Sequence, residues 1–236
     1  MRHGSAVLLA SALSLSAVQV ASTADIPVKA PRAPAAVVAA SWTGCYIGVS
    51  GGGTWGRSRH DNESTPATIT GNFNMSGGIV GGTAGCNYQN GAWVVGVETD
   101  FSWTNKKGSA TDLAPFNTAF VSETKEHWLG TVRGRVGHAW GDNFAYVTGG
   151  FAYGRVEIAV TGPTTFASEA KNRTGWTAGA GFEHMFTPHV TGKVEYLYVD
   201  LGNNPYFNPA PAGFSDRAGG VRLYDHIVRA GLNWKF

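Results

Sequence analysis

Two acid–imidazole neighbours, Glu126-His127 and Asp225-His226, and one hydroxyl, Ser122, are the residues whose types could support hydrolysis. General acid–base chemistry needs the carboxylate and the imidazole to converge on one reacting group. Adjacent residues on an extended strand point to opposite faces, so neither neighbour pair is itself a dyad. A site would have to combine a histidine from one strand with an acid from another. No nucleophile motif surrounds Ser122, and catalysis is not expected. The glycine runs Gly51-Gly52-Gly53, Gly77-Gly78 and Gly81-Gly82 lack the following helix and the Lys-Ser/Thr pair of a phosphate loop, so no cofactor is expected. Cys45 and Cys86 are too sparse a pair for a metal. Asn62-Glu63-Ser64 and Asn172-Arg173-Thr174 match the glycosylation pattern and receive no role.

The elements that must position these residues are strands. In 225–236, Val228, Ala230, Leu232, Trp234 and Phe236 fall on one face, with Arg229, Asn233 and Lys235 on the other, a period of two. An apolar face ending in Trp and Phe suits lipid with an interfacial girdle, and a polar face suits a barrel lumen. Composition agrees: 14% of residues are charged, 33 are Gly and 12% aromatic, and the mean hydropathy of −0.11 is what lipid-facing and lumen-facing residues average to. A soluble all-β sandwich would also alternate, but it would not need aromatics at its strand ends. A net charge of +2 is too mild to imply nucleic acid.

Arg2 and His3 precede an apolar stretch from Ala6 to Val20, followed by Ser22-Thr23-Ala24, so 1–24 reads as a secretory signal peptide. The Pro/Ala-rich stretch 25–41 reads as an extended periplasmic lead, and 42–236 as the barrel. Candidate strands are 42–56, 74–88, 92–105, 124–140, 143–156, 174–186, 190–202 and 222–236. Gln89-Asn90-Gly91, Gly141-Asp142 and Thr187-Pro188-His189 are tight turns, whereas 57–73, 106–123, 157–173 and 203–221 are long and polar. The fold expected is an all-β, eight-stranded antiparallel up-and-down transmembrane barrel with short periplasmic turns and long extracellular loops.

Strand parity then assigns faces. Val95, Val97, Phe101, Trp103, Val132, Val136, Val194, Tyr196 and Tyr198 turn to lipid. Glu98, Asp100, Arg133, Arg135, Glu183, Lys193, Glu195 and Arg229 turn inward, near one level of the barrel. Buried charges persist mainly when paired, so a lumen ion network is expected in place of an open pore; the alternative is hydrated residues without fixed partners. Cys45 and Cys86 lie near the periplasmic ends of adjacent strands and could form a cross-strand disulfide, with Cα atoms about 4.5–5.5 Å apart, or remain two small unlinked residues.

The blocks Trp42-Thr43-Gly44-Cys45-Tyr46-Ile47-Gly48, 93–100, 130–137, 193–202 and 228–236 resemble those of RopB-type outer-membrane immunogenic proteins, in the same order. The resemblance spans essentially the whole barrel; Cys45 departs from it, standing where similar sequences usually carry an aromatic. It implies a small OmpA-like barrel of the porin family, a surface antigen without a catalytic set. It also implies that the terminal run Val228, Ala230, Leu232, Trp234 and Phe236 is the signal read by the barrel-insertion machinery. The partners expected are outer-membrane lipid and that machinery, and the location is the bacterial outer membrane. A structural, surface-exposed role with a filled lumen is the reading; a narrow porin-like channel and loop-mediated adhesion or ligand binding to host or cell-surface partners are the alternatives.

Overall fold

Alternating side chains commit this chain to extended backbone, whose N–H and C=O groups must then find partners on neighbouring strands. A computed structural model describes residues 41–62, 67–115, 118–207 and 219–236; the signal peptide and lead assigned to 1–41 therefore lie almost wholly outside the described residues. The strands are β1 (Gly44–Asn62), β2 (Phe73–Asn90), β3 (Trp93–Thr104), β4 (Lys107–Thr111), β5 (Val121–Trp140), β6 (Asn143–Thr161), β7 (Phe166–Thr187), β8 (Val190–Tyr206) and β9 (Gly219–Lys235). Each pairs antiparallel with its neighbours, and β1 pairs with both β2 and β9. The sheet therefore closes on itself as an up-and-down barrel with no free edge. β4 takes over from β3 against β5, with Lys107–Thr111 opposite Val121–Lys125, so the wall has eight positions.

One end carries the tight turns and the other the longer connections. Gly91 and Gly141 sit at φ 58° and 57° in two of these turns, a left-handed conformation that a side chain disfavours. At the loop end the strands run further than the polarity of the sequence suggests. The stretch 157–173, expected as an external loop, is mostly ladder: β6 and β7 stay paired from Arg155 with Asn172 to Thr161 with Phe166, leaving only 162–165 to connect them. β1 likewise continues to Asn62, β8 to Tyr206, and β4 lies within 106–123. The physical reason is that only the outward face turns polar here; inward, Val156, Ile158 and Val160 remain apolar and buried.

The faces follow the alternation. Val95, Val97, Phe101, Trp103, Val132, Val136, Val194 and Tyr196 are exposed on the outer surface, and Tyr198 is half-buried there among aromatic neighbours. Trp93, Trp140, Phe182, Phe186 and Trp234 mark the turn end of the apolar band; Trp55, Trp103 and Trp176 mark its other rim.

Candidate functional site

The lumen is the place where charged side chains are brought together. Glu98, Asp100, Arg133, Arg135, Glu183, Lys193, Glu195 and Arg229 are all buried and form one connected set. Glu98 faces Arg133 across β3–β5, and Glu195 faces Arg229 across β8–β9. Arg133 is the hub: its Nη2 donates to Glu98 at 2.6 Å and to Asp100 at 3.0 Å, and its Nη1 to Glu195 at 3.0 Å. Arg229 joins Asp100 at 3.0 Å and Glu195 at 2.7 Å. Arg135 joins Glu183 at 2.6 Å and Glu98 at 3.1 Å. The ammonium of Lys193 crosses the lumen to Glu98 at 2.8 Å and makes no ion pair with Glu183, its neighbour in the ladder.

Charge-assisted hydrogen bonds fill the remaining acceptor sites. The Tyr46 hydroxyl donates to Glu98 at 2.6 Å, the Tyr146 hydroxyl to Glu195 at 2.9 Å, Thr131 to Asp100 at 2.5 Å, Thr191 to Glu183 at 2.5 Å and Asn233 to Glu183 at 2.9 Å. The Arg135 guanidinium lies 4.3 Å from the Tyr146 ring centroid and 4.9 Å from that of Phe144, a cation–π arrangement. Of these supporting residues, Asn233 was already assigned to the polar face of the last strand; Tyr46, Thr131, Tyr146 and Thr191 are added by the structure. Thr131 and Thr191 sit two residues from Arg133 and Lys193 at the same inward parity, whereas Tyr46 and Tyr146 lie on strands without a predicted charge and reach the set only through the closed sheet.

Apolar layers close the lumen on both sides of the ion set. At the turn end, buried Trp42, Val94, Phe144 and Met185 form a cap, with the Trp42 and Phe144 rings 5.2 Å apart. Toward the loop end, Met75, Ile79, Leu129, Val156, Ile158, Leu197, Leu223 and Ile227 pack as a continuous core. A second ionic group is set into that half. Lys106, in the link between β3 and β4, meets Glu126 at 2.7 Å and also Asp225, and all three are fully buried. Sequence parity missed Glu126 because the β5–β6 ladder shifts register between Glu126 and Trp128; the bulge turns Glu126 inward and His127 outward. Arg173 seals above, donating to the carbonyls of Gly202 at 2.5 Å and Val221 at 2.6 Å. A cavity of about 20 Å³ beside His60, Ser122 and Tyr206 has room for roughly one water.

The residues first weighed for hydrolysis are dispersed. His127 is exposed and bonds to Glu157 at 2.8 Å. His226 lies outward against Tyr196, whose hydroxyl is 2.7 Å from Nδ1, while Asp225 lies inward. Ser122 is buried and donates to Asp112 at 2.8 Å. Cys45 and Cys86 are ladder partners joined by a disulfide, with Cα atoms 3.9 Å apart, closer than the spacing expected. The terminal run follows β9: Val228, Leu232 and Trp234 face outward with Ala230, and Phe236 is exposed beyond the strand, its N–H donating to the Cys45 carbonyl at 2.9 Å. Among the described residues, no group of three or more His, Cys, Asp or Glu has the arrangement of a metal site.

Comparison with known proteins agrees with this architecture. The family described as "Outer membrane protein beta-barrel domain" matches residues 5–236. The 31 kDa outer-membrane immunogenic protein of Brucella melitensis is 38% identical over 98% of this chain and 99% of its own length. The 25 kDa outer-membrane immunogenic protein of Brucella abortus is 31% identical over the full length of both. Among solved structures, the outer membrane protease OmpT of Escherichia coli superposes with a TM-score of 0.50 at 12% identity, covering 83% of this chain and 98% of that one, a likeness of fold alone. The chain belongs to the outer membrane protein β-barrel family, and its place is the outer membrane.

Proposed function

We propose that this member of the family is a structural, surface-exposed antigen-type barrel whose lumen is held shut, without enzymatic activity, in line with the names its relatives carry. The observation that supports this reading is the ion layer: eight charged side chains at one level, bonded to one another across a lumen that an eight-stranded wall leaves barely wide enough for side chains. With the tight turns at the periplasmic end, the loops face outward and are what another cell or a host would meet. Liposome swelling tests the closed lumen directly. Wild-type protein should leave vesicles as impermeable to small sugars as protein-free controls, and swelling comparable to that given by an open porin would overturn the reading.

Assembly uses the outer-membrane lipid and the barrel-insertion machinery, with Val228, Ala230, Leu232, Trp234 and Phe236 as the terminal signal. Phe236 is 67% exposed and caps the lipid-facing row of β9, so its removal deletes an interfacial anchor without touching the lumen. Removing it should leave secreted but uninserted protein. Normal outer-membrane levels with heat-modifiable migration would count against this role.

A further inference from the structure

Above the aromatic girdle, the outer surface of the barrel differs from one side to the other. On the β5–β6 side, two bases have carboxylates, Lys125 meeting Glu123 at 3.1 Å and His127 meeting Glu157 at 2.8 Å, while Lys107, opposite Lys125, and Arg155 have none among the described residues. On the β1–β9 side, three arginines crowd together. Arg59 is the ladder partner of Arg222, and Arg57 faces Tyr224. Asp61 holds Arg59 at 2.9 Å, but among the described residues Arg57 and Arg222 have no carboxylate partner. Asp200, at the far edge, accepts the Gly202 N–H at 2.7 Å. Like charges directly opposite on neighbouring strands destabilise a sheet. A bound anion reverses that sign.

Level with and just below the arginines, β1, β9 and the neighbouring β8 present flat rings. Trp55 and His226 stack with centroids 6.2 Å apart and planes 17° from parallel, and Tyr198 lies 6.2 Å from Tyr224. A groove of about 510 Å³ runs between Trp55, Arg57, Asn74, Tyr224 and His226. Clefts of about 450 and 150 Å³ extend it along Arg222 and Tyr224. Lower still on β9, Val228 faces lipid. Guanidinium groups match phosphate oxygens bidentately, and exposed aromatic faces accept the apolar faces of sugar rings. Hydrocarbon, then ring-binding surface, then phosphate-binding charge is the order of chemistry met in a phosphorylated glycolipid, read from acyl chain to headgroup.

We propose that the groove of Trp55, Arg57, Tyr224, His226 and Arg222 binds the phosphorylated saccharide headgroup of an outer-leaflet glycolipid. Arg57 and Arg222 hold phosphate, and Trp55 with His226 carries the sugar. The lipid is the occupant, since a free phosphate would use the arginines and leave the aromatic floor idle.

The test is native mass spectrometry on the detergent-extracted barrel with a bisphosphorylated lipid A, and with the same lipid dephosphorylated. Arg57→Gln/Arg222→Gln should weaken binding about tenfold or more, corresponding to roughly 1.4 kcal/mol. Lys107→Gln/Lys125→Gln, the same charge loss on the other side, should leave it unchanged. Wild type should prefer the phosphorylated lipid and retain it against excess inorganic phosphate. Arg57→Lys/Arg222→Lys keeps the charge and the folded barrel while losing the bidentate fork, so it should bind several-fold more weakly than wild type even if the Gln pair proves unstable. Equal binding by the arginine variants, equal loss in the lysine control, indifference to phosphorylation, or displacement by inorganic phosphate would each overturn the proposal.

Discussion

The two halves of the lumen are filled by different physics. In the periplasmic half, four acids and four bases interlock through Arg133, Arg135 and Arg229, with hydroxyls and an amide on the remaining lone pairs. In the extracellular half, Leu129, Ile158, Leu197 and Leu223 pack as in a soluble core, interrupted by the group of Lys106, Glu126 and Asp225 and by further buried polar side chains such as Arg173, Ser122 and Asp112. The ionic half depends on matched partners. Removing one leaves another charge buried and uncompensated, whereas an apolar half loses only contacts and volume. In the proposed reading the ionic layer closes the lumen, while the apolar half supplies bulk cohesion.

The largest effect that would sharpen this contrast is expected from Arg133→Ala, which takes one guanidinium from Glu98, Asp100 and Glu195 at once and leaves Arg135, Lys193 and Arg229 to hold them. It should cost about 3–5 kcal/mol in unfolding measurements and open a measurable conductance. Leu223→Ala in the other half should cost about 2–5 kcal/mol as a cavity and leave conductance at the wild-type level, because the ion layer and the Trp42 cap are untouched. If Leu223→Ala leaks as readily as Arg133→Ala, the division of labour is wrong. Val132→Arg, next to Arg133 but facing lipid, should cost roughly 2–4 kcal/mol near the midplane, again without a leak. The smallest effect belongs to His127→Ala: its contact with Glu157 is solvent-exposed, so stability should change by about 0–1 kcal/mol.

Much of the wall and of the lower ion layer was legible in the sequence, because a closed barrel enforces one rule, alternation, along every strand. Glu98 and Arg133 could be placed inward by counting from their neighbours Val97 and Val132. What was not legible depended on events that alternation does not record. The bulge at Glu126/Trp128 breaks the count on β5, and Lys106 reaches the lumen from a link between strands that composition presents as loop. The extension of β6 and β7 was hidden because outward polarity resembles a solvated loop when the inward Val156, Ile158 and Val160 are not counted separately. The cysteine pairing rested on the offset between β1 and β2, which turn residues constrain but composition does not.

Single-channel recording of the purified barrel in a planar bilayer tests the closed lumen most directly. Wild-type protein should show conductance that is small or intermittent, and Arg133→Ala should convert it to a steady leak. A large, steady wild-type conductance, unchanged by Arg133→Ala or Glu98→Ala, would contradict the account and identify the barrel as a true porin.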